Sequence, residues 1–98
     1  NQGNVFLTLE EAQFEEMRRN VYATIKQYAY EFSEEEWKKG NIKKYYPCYD
    51  YPNHCIIIFA DNCLCGSKLY FKSEEDIEKA IEAVGEEYFK KYYLCIKE

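Results

Sequence analysis

Apolar residues recur at helical spacing from Leu9 onward. Leu9, Ala12, Met17, Val21, Ile25, Tyr28, Ala29 and Phe32 fall on one stripe, and Glu10, Glu15, Glu16, Arg18, Arg19 and Lys26 occupy positions that can face water. Thr8-Leu9-Glu10-Glu11 spells a capping box, in which the Thr8 hydroxyl accepts from the Glu11 amide and the Glu11 carboxylate reaches back. The pattern predicts a helix from this cap to about Phe32, preceded by an extended lead over Asn1 to Leu7. Ser33-Glu34-Glu35-Glu36 is a second capping box, opening a short helix that carries Trp37 and ends at Gly40. Trp37 is expected to plug the core or to anchor a partner.

The periodicity then changes. Lys43 to Tyr49 reads as a first strand, and Pro47 within it implies an edge or a bulge. Asp50-Tyr51-Pro52-Asn53 is a turn. His54 to Ala60 is a second strand, whose run Ile56-Ile57-Ile58-Phe59 predicts a central strand covered on both faces. Asp61 to Gly66 forms the next loop, and Ser67 to Phe71 a shorter third strand. Ser73 caps a helix from Glu74 to about Val84, with Ile77, Ala80, Ile81 and Val84 inward, acids in the first turn, and Gly85 just past the end. Glu86 to Lys91 can add a turn, and Tyr92 to Ile96 a short strand or a segment lying across an edge. The expected fold is α+β: a three-stranded antiparallel β-meander packed against a long N-terminal helix and a C-terminal helix.

The chain of 98 residues makes a single domain, residues 1–98. A net charge of -5 disfavours direct nucleic-acid binding, which calls for a basic face, and suits a basic protein partner or a surface that mimics DNA. Eleven Tyr, six Phe and one Trp exceed what a small core needs and point to a binding surface. No apolar run approaches the roughly 20 residues of a membrane span. Asn1 to Asn4 has neither the basic nor the apolar region of a signal peptide, and a first residue other than Met suggests a trimmed chain. The expected location is therefore cytoplasmic, with reduced thiols.

Five cysteines in such a chain read more readily as metal ligands or reactive groups than as disulfides. Structural zinc needs a tetrahedron of thiolates or imidazoles. The candidates are Cys48, His54, Cys55, Cys63, Cys65 and Cys95. With the turn at Asp50 to Asn53, Cys48 stands near Cys55 at one end of the hairpin, where a buried cross-strand pair is the plainer reading. Cys63 follows the other end, roughly 20–25 Å away at the rise of a strand. The tail returns to that end, so the predicted metal group is Cys63, Cys65 and Cys95, with an unidentified fourth ligand. His54 reads as a turn residue. No set of nucleophile, oriented base and oxyanion donors can be assembled, so catalysis is not expected.

Several phrases resemble a group of small proteins of phages and prophages of Gram-positive bacteria: Val5-Phe-Leu-Thr-Leu-Glu-Glu-Ala12, Lys44-Tyr45-Tyr46, Leu69-Tyr70-Phe71-Lys72-Ser73-Glu74-Glu75, Lys79-Ala80-Ile81, Gly85 and Lys91-Tyr92-Tyr93. Some proteins that look like this are anti-CRISPRs, including inhibitors of type II-A systems that bind Cas9. The resemblance implies a protein-binding inhibitor acting in the bacterial host cytoplasm on a Cas effector nuclease. The loop Cys63-x-Cys65 and Cys95 stand outside the shared phrases, as either an acquired metal site or incidental cysteines. Candidate contacts are Trp37, Tyr45, Tyr49 and Tyr51. A zinc-stabilised structural or adaptor module with another protein partner is the alternative.

Overall fold

Thr8 and Glu11 form the capping box of the first helix, as the sequence predicts. The Glu11 amide donates to Thr8 Oγ1 at 3.0 Å, and the Thr8 amide donates to Glu11 Oε1 at 2.9 Å. The structure is a computed structural model that describes residues 8–62 and 68–97. From this cap runs α1, Leu9–Lys26. Its lower half is solvated, with Leu9 73% exposed, while Val21 and Ile25 are buried.

The helix stops six residues short of the expected end. Tyr28 and Ala29 close a tight turn onto Ile25 and Lys26, and the Tyr30 amide then donates to the Tyr70 carbonyl at 2.9 Å. Helical periodicity continued to Phe32 on paper. In the fold, the backbone hydrogen bond to Tyr70 and the packing of Tyr30 and Phe32 rings hold this segment extended. A second capping box, Ser33 with Glu36, opens α2, Glu34–Lys38.

Strands β1, Lys44–Asp50, and β2, Cys55–Asp61, form an antiparallel hairpin with Lys44 opposite Asp61, Pro47 opposite Ile58 and Asp50 opposite Cys55. The loop is Tyr51 to His54, one residue later than expected, and His54 takes the left-handed conformation at φ 53°. The shift places Cys48 opposite Ile57 instead of Cys55, so the predicted cross-strand cysteine pair does not form.

The three-stranded meander is not shown. Among the described residues, β1 is joined on its other side by one bridge, Tyr45 to Phe71, with amide–carbonyl distances of 2.9 and 2.8 Å. Pro47 and Tyr93 together explain why pairing stops there, because the Leu69 amide that would donate back to Pro47 is hydrogen-bonded to Tyr93. Tyr45 spends its backbone groups on Phe71, so the strand alternation directs the Pro47 nitrogen to the same side, opposite Leu69. That nitrogen carries no hydrogen, and the next ladder bond has no donor. β1 is thus the inner strand and β2 the edge. The apolar run is not covered on both faces: Ile56, Ile57 and Ile58 are half-buried, and Phe59 is 48% exposed.

Ser73 caps α3, Glu74–Val84, through its hydroxyl and the Asp76 amide. Gly85 follows with φ 91°, a conformation that costs glycine little, and its amide donates to the Ile81 carbonyl at 2.7 Å. α4, Glu86–Tyr88, then widens into a π-helical turn over Phe89–Tyr93. The predicted strand over Tyr92 to Ile96 is absent, because this wider turn lets Phe89 and Tyr93 stack and leaves Tyr92 on Phe14 and Tyr88. Val21, Ile25, Phe71, Ile77, Ala80 and Phe89 make the core, with Tyr45, Ile56 and Ile58 of the sheet packed against it.

Candidate interaction surface

Strand alternation gives the hairpin two unlike faces. Tyr45, Pro47 and Tyr49, with Ala60, Ile58 and Ile56, lie on the face toward the helices. Lys44, Tyr46 and Cys48, with Asp61, Phe59 and Ile57, lie on the other. On that outer face the rings run in contact: Tyr30 to Phe32 at 4.7 Å between centroids, Phe32 to Trp37 at 5.9 Å, and Trp37 to Tyr70 at 4.8 Å. Tyr70 continues to Tyr46 at 5.7 Å, and Tyr46 to Phe59 at 6.1 Å. Most of these pairs are edge-to-face, the arrangement that sets positive ring edges on negative ring faces.

Lysines interleave with the rings. Lys68 Nζ lies 4.0 Å from the Tyr46 centroid and Lys72 Nζ 4.1 Å from that of Tyr30. Lys44 is fully buried beneath Trp37 and Phe32, at 5.0 and 5.9 Å from their centroids. Its ammonium donates to the carbonyls of Lys39, at 3.3 Å, and Asn62. A buried ammonium is tolerated only with such acceptors, so Lys44 ties the end of β1 to the chain leaving α2 and to the chain leaving β2.

Carboxylates border the layer. The Tyr30 hydroxyl donates to Glu36 at 3.2 Å, and the charge of Glu36, with burial, raises the Tyr30 pKa. Glu36 itself is held below the usual carboxylate range, first by the Ser33 amide. Burial, then the charge of Asp61, raises Tyr46. Beside the layer lies a groove of about 490 Å³, lined in part by Tyr22, Lys26, Tyr30, Trp37, Lys68 and Tyr70.

The four predicted contact residues are divided. Trp37 is half-buried at the centre of the layer. Tyr45 lies on the opposite face and packs on the core. Tyr49 and Tyr51 meet edge-to-face at the hairpin tip, with centroids 5.0 Å apart and Tyr51 56% exposed. Tyr30, Tyr46, Phe59 and Tyr70 belong to the layer and were not anticipated. Alternation along Lys44, Tyr46 and Cys48 carried the signal for Tyr46; Tyr30 and Tyr70 meet only through tertiary pairing.

Of the predicted metal group, Cys63 and Cys65 lie outside the described residues. Cys95 is exposed, has φ 57°, and sits 3.9 Å from the Tyr92 carbonyl oxygen. Cys48 and Cys55 carry free thiols, and burial pushes that of Cys48 up, away from the thiolate. Among the described residues no group of three His, Cys, Asp or Glu side chains could hold a metal ion. None of their helices is long and apolar enough to cross a membrane.

No protein-family model matches the chain, and none of the curated proteins or solved structures compared with it matches.

Proposed function

We propose that this chain is a non-catalytic protein that inhibits a Cas9-type effector nuclease by stoichiometric binding, as a phage-encoded anti-CRISPR in the cytoplasm of the bacterial host. The observation that carries the binding reading is the ring layer from Tyr30 to Phe59, part of which is open to solvent. Preformed, rigid aromatic rings supply large contact area at low entropic cost, the composition of interface anchors. The net charge of -5 favours encounter with a basic nuclease. The sequence phrases that resemble phage proteins supply the identity of the partner.

The test is target cleavage by purified Cas9 orthologues with and without the protein, together with co-purification of the two. Inhibition saturating at one chain per nuclease is expected, and Trp37→Ala with Phe59→Ala should weaken it at least tenfold. Undiminished cleavage by every orthologue removes the Cas9 assignment.

A zinc-stabilised adaptor with another protein partner is the second reading, and the exposed free thiol of Cys95 favours it. Cys63, Cys65 and Cys95 would be the ligands. Metal analysis of purified protein should give one zinc per chain, lost in Cys63→Ser and Cys65→Ser; a content far below one removes the metal.

A further inference from the structure

The outer edge of β2 is unpaired among the described residues, and its hydrogen-bond phase can be read from the far side of the hairpin. Tyr45 bonds Phe71, so its partner across the hairpin, Ala60, bonds nothing on β1. By alternation, Ile56, Ile58 and Ala60 direct their amides and carbonyls to the free edge. Phe59, Ile57 and Cys55 direct theirs to β1. Three outward residues of an Ile-rich, seven-residue strand thus form an open template for pairing.

We propose that β2 pairs antiparallel with β2 of a second copy, centred on Ile58. In that register Ile58 faces its own symmetry mate and Ile56 faces Ala60 of the other copy. Every outward residue therefore meets an outward residue, and each pair exchanges both of its backbone bonds. A shift by one residue breaks this match, because outward residues would then face inward ones. Charge agrees with the same register. The strand's one charged side chain, Asp61, falls opposite Cys55 of the other copy. The two Asp61 carboxylates stand roughly 20 Å apart at opposite ends, so two acidic chains meet there without opposed like charges.

The product is a continuous four-stranded sheet. Both helical layers lie on one side of it and both aromatic layers on the other, since pairing about an axis normal to the sheet preserves its faces. The helices leave room, because α3 packs mainly over β1, the strand farther from the free edge. Pairing would also bring the exposed Phe59 of each copy opposite Ile57 of the other, covering apolar surface that the monomer leaves in water.

Two measurements on the full chain test this. Sedimentation equilibrium from micromolar to about millimolar should show a reversible dimer. Ala60→Pro removes only an outward amide, as Pro47 already does on β1, and should raise the dimer dissociation constant at least tenfold while circular dichroism stays native. Separately, Asp61→Cys puts a thiol opposite Cys55 of the second copy, in a non-hydrogen-bonded pair whose spacing of about 4.5 Å suits a disulfide. Mild oxidation should give a covalent dimer in which peptide mapping finds position 55 linked to position 61, whether or not the proline variant folds. A chain that stays monomeric throughout, or a dimer whose only cross-links involve other cysteines, overturns the proposal.

Discussion

The Lys44 ammonium lies 5.0 Å from the Trp37 ring centroid, at the junction where α2, β1 and the chain leaving β2 meet. Lys44→Met keeps most of the stem but removes the ammonium from the Asn62 carbonyl and leaves that of Lys39 with the Ile42 amide alone, at an expected cost of about 1–3 kcal/mol. Trp37→Ala should cost about 3 kcal/mol. In urea titrations the double variant should lose less than the sum, by about 1 kcal/mol, the worth of the cation on the ring. Strict additivity would show that the charge and the ring do not interact.

Strand alternation from the Tyr45–Phe71 bridge sets the Pro47 nitrogen, which has no hydrogen to donate, on the side of Leu69. In Pro47→Val the new amide should donate to the Leu69 carbonyl and add one bond beyond the Tyr45–Phe71 bridge. Hydrogen exchange at position 47 checks this: protection comparable to that of Phe71 is expected. Free exchange would mean that the path of the chain, and not proline, ends the pairing.

Burial holds the Tyr93 hydroxyl proton on, with a pKa pushed up to about 12, against a hydrogen bond from the Leu69 backbone that lowers it. A raised folded pKa means stability that is complete below about pH 10 and lost as pH rises through about 12. Absorbance titration should find a late-ionising tyrosine that disappears in Tyr93→Phe, and that variant should denature less steeply in alkali.

The helix caps carry the acid side. Glu11 and Glu36 are both held below the usual carboxylate range, each first by the backbone amide of its cap residue. Lowered folded values mean stability present above about pH 5 and lost as pH falls through about 4 and below. Ser33→Ala and Ser73→Ala should each cost about 1 kcal/mol at neutral pH. Ser33→Ala keeps the backbone amide that chiefly holds Glu36 down, so in carboxyl NMR the Glu36 titration should stay below the usual carboxylate range while stability falls.

Cys95 holds a left-handed backbone angle, φ 57°, that glycine adopts without penalty. Cys95→Gly should raise thermal stability by the equivalent of up to about 1 kcal/mol in metal-free protein. The same variant should lose any stabilisation that added zinc gives the parent chain, so differential scanning with and without zinc separates strain from ligation.

Local chemistry made much of this fold legible along the chain. Both capping boxes, the Ser73 cap, the span of α3 and its stop at Gly85 follow from side chains reaching their own neighbours' backbone, and adjacent residues suffice to state them. The hairpin and its α+β setting were legible from the change of period. Which strand is inner, where α1 ends and how the tail coils were decided by contacts between distant residues. Tyr30 takes a carbonyl from Tyr70, Phe71 takes one side of Tyr45, and the tail rings stack on Phe14 and Tyr22. Hydrophobic periodicity reports how much of a residue is buried but not what buries it, so only the assembled chain could gather rings from four separate segments on one face of the hairpin and leave the triple isoleucine at its rim.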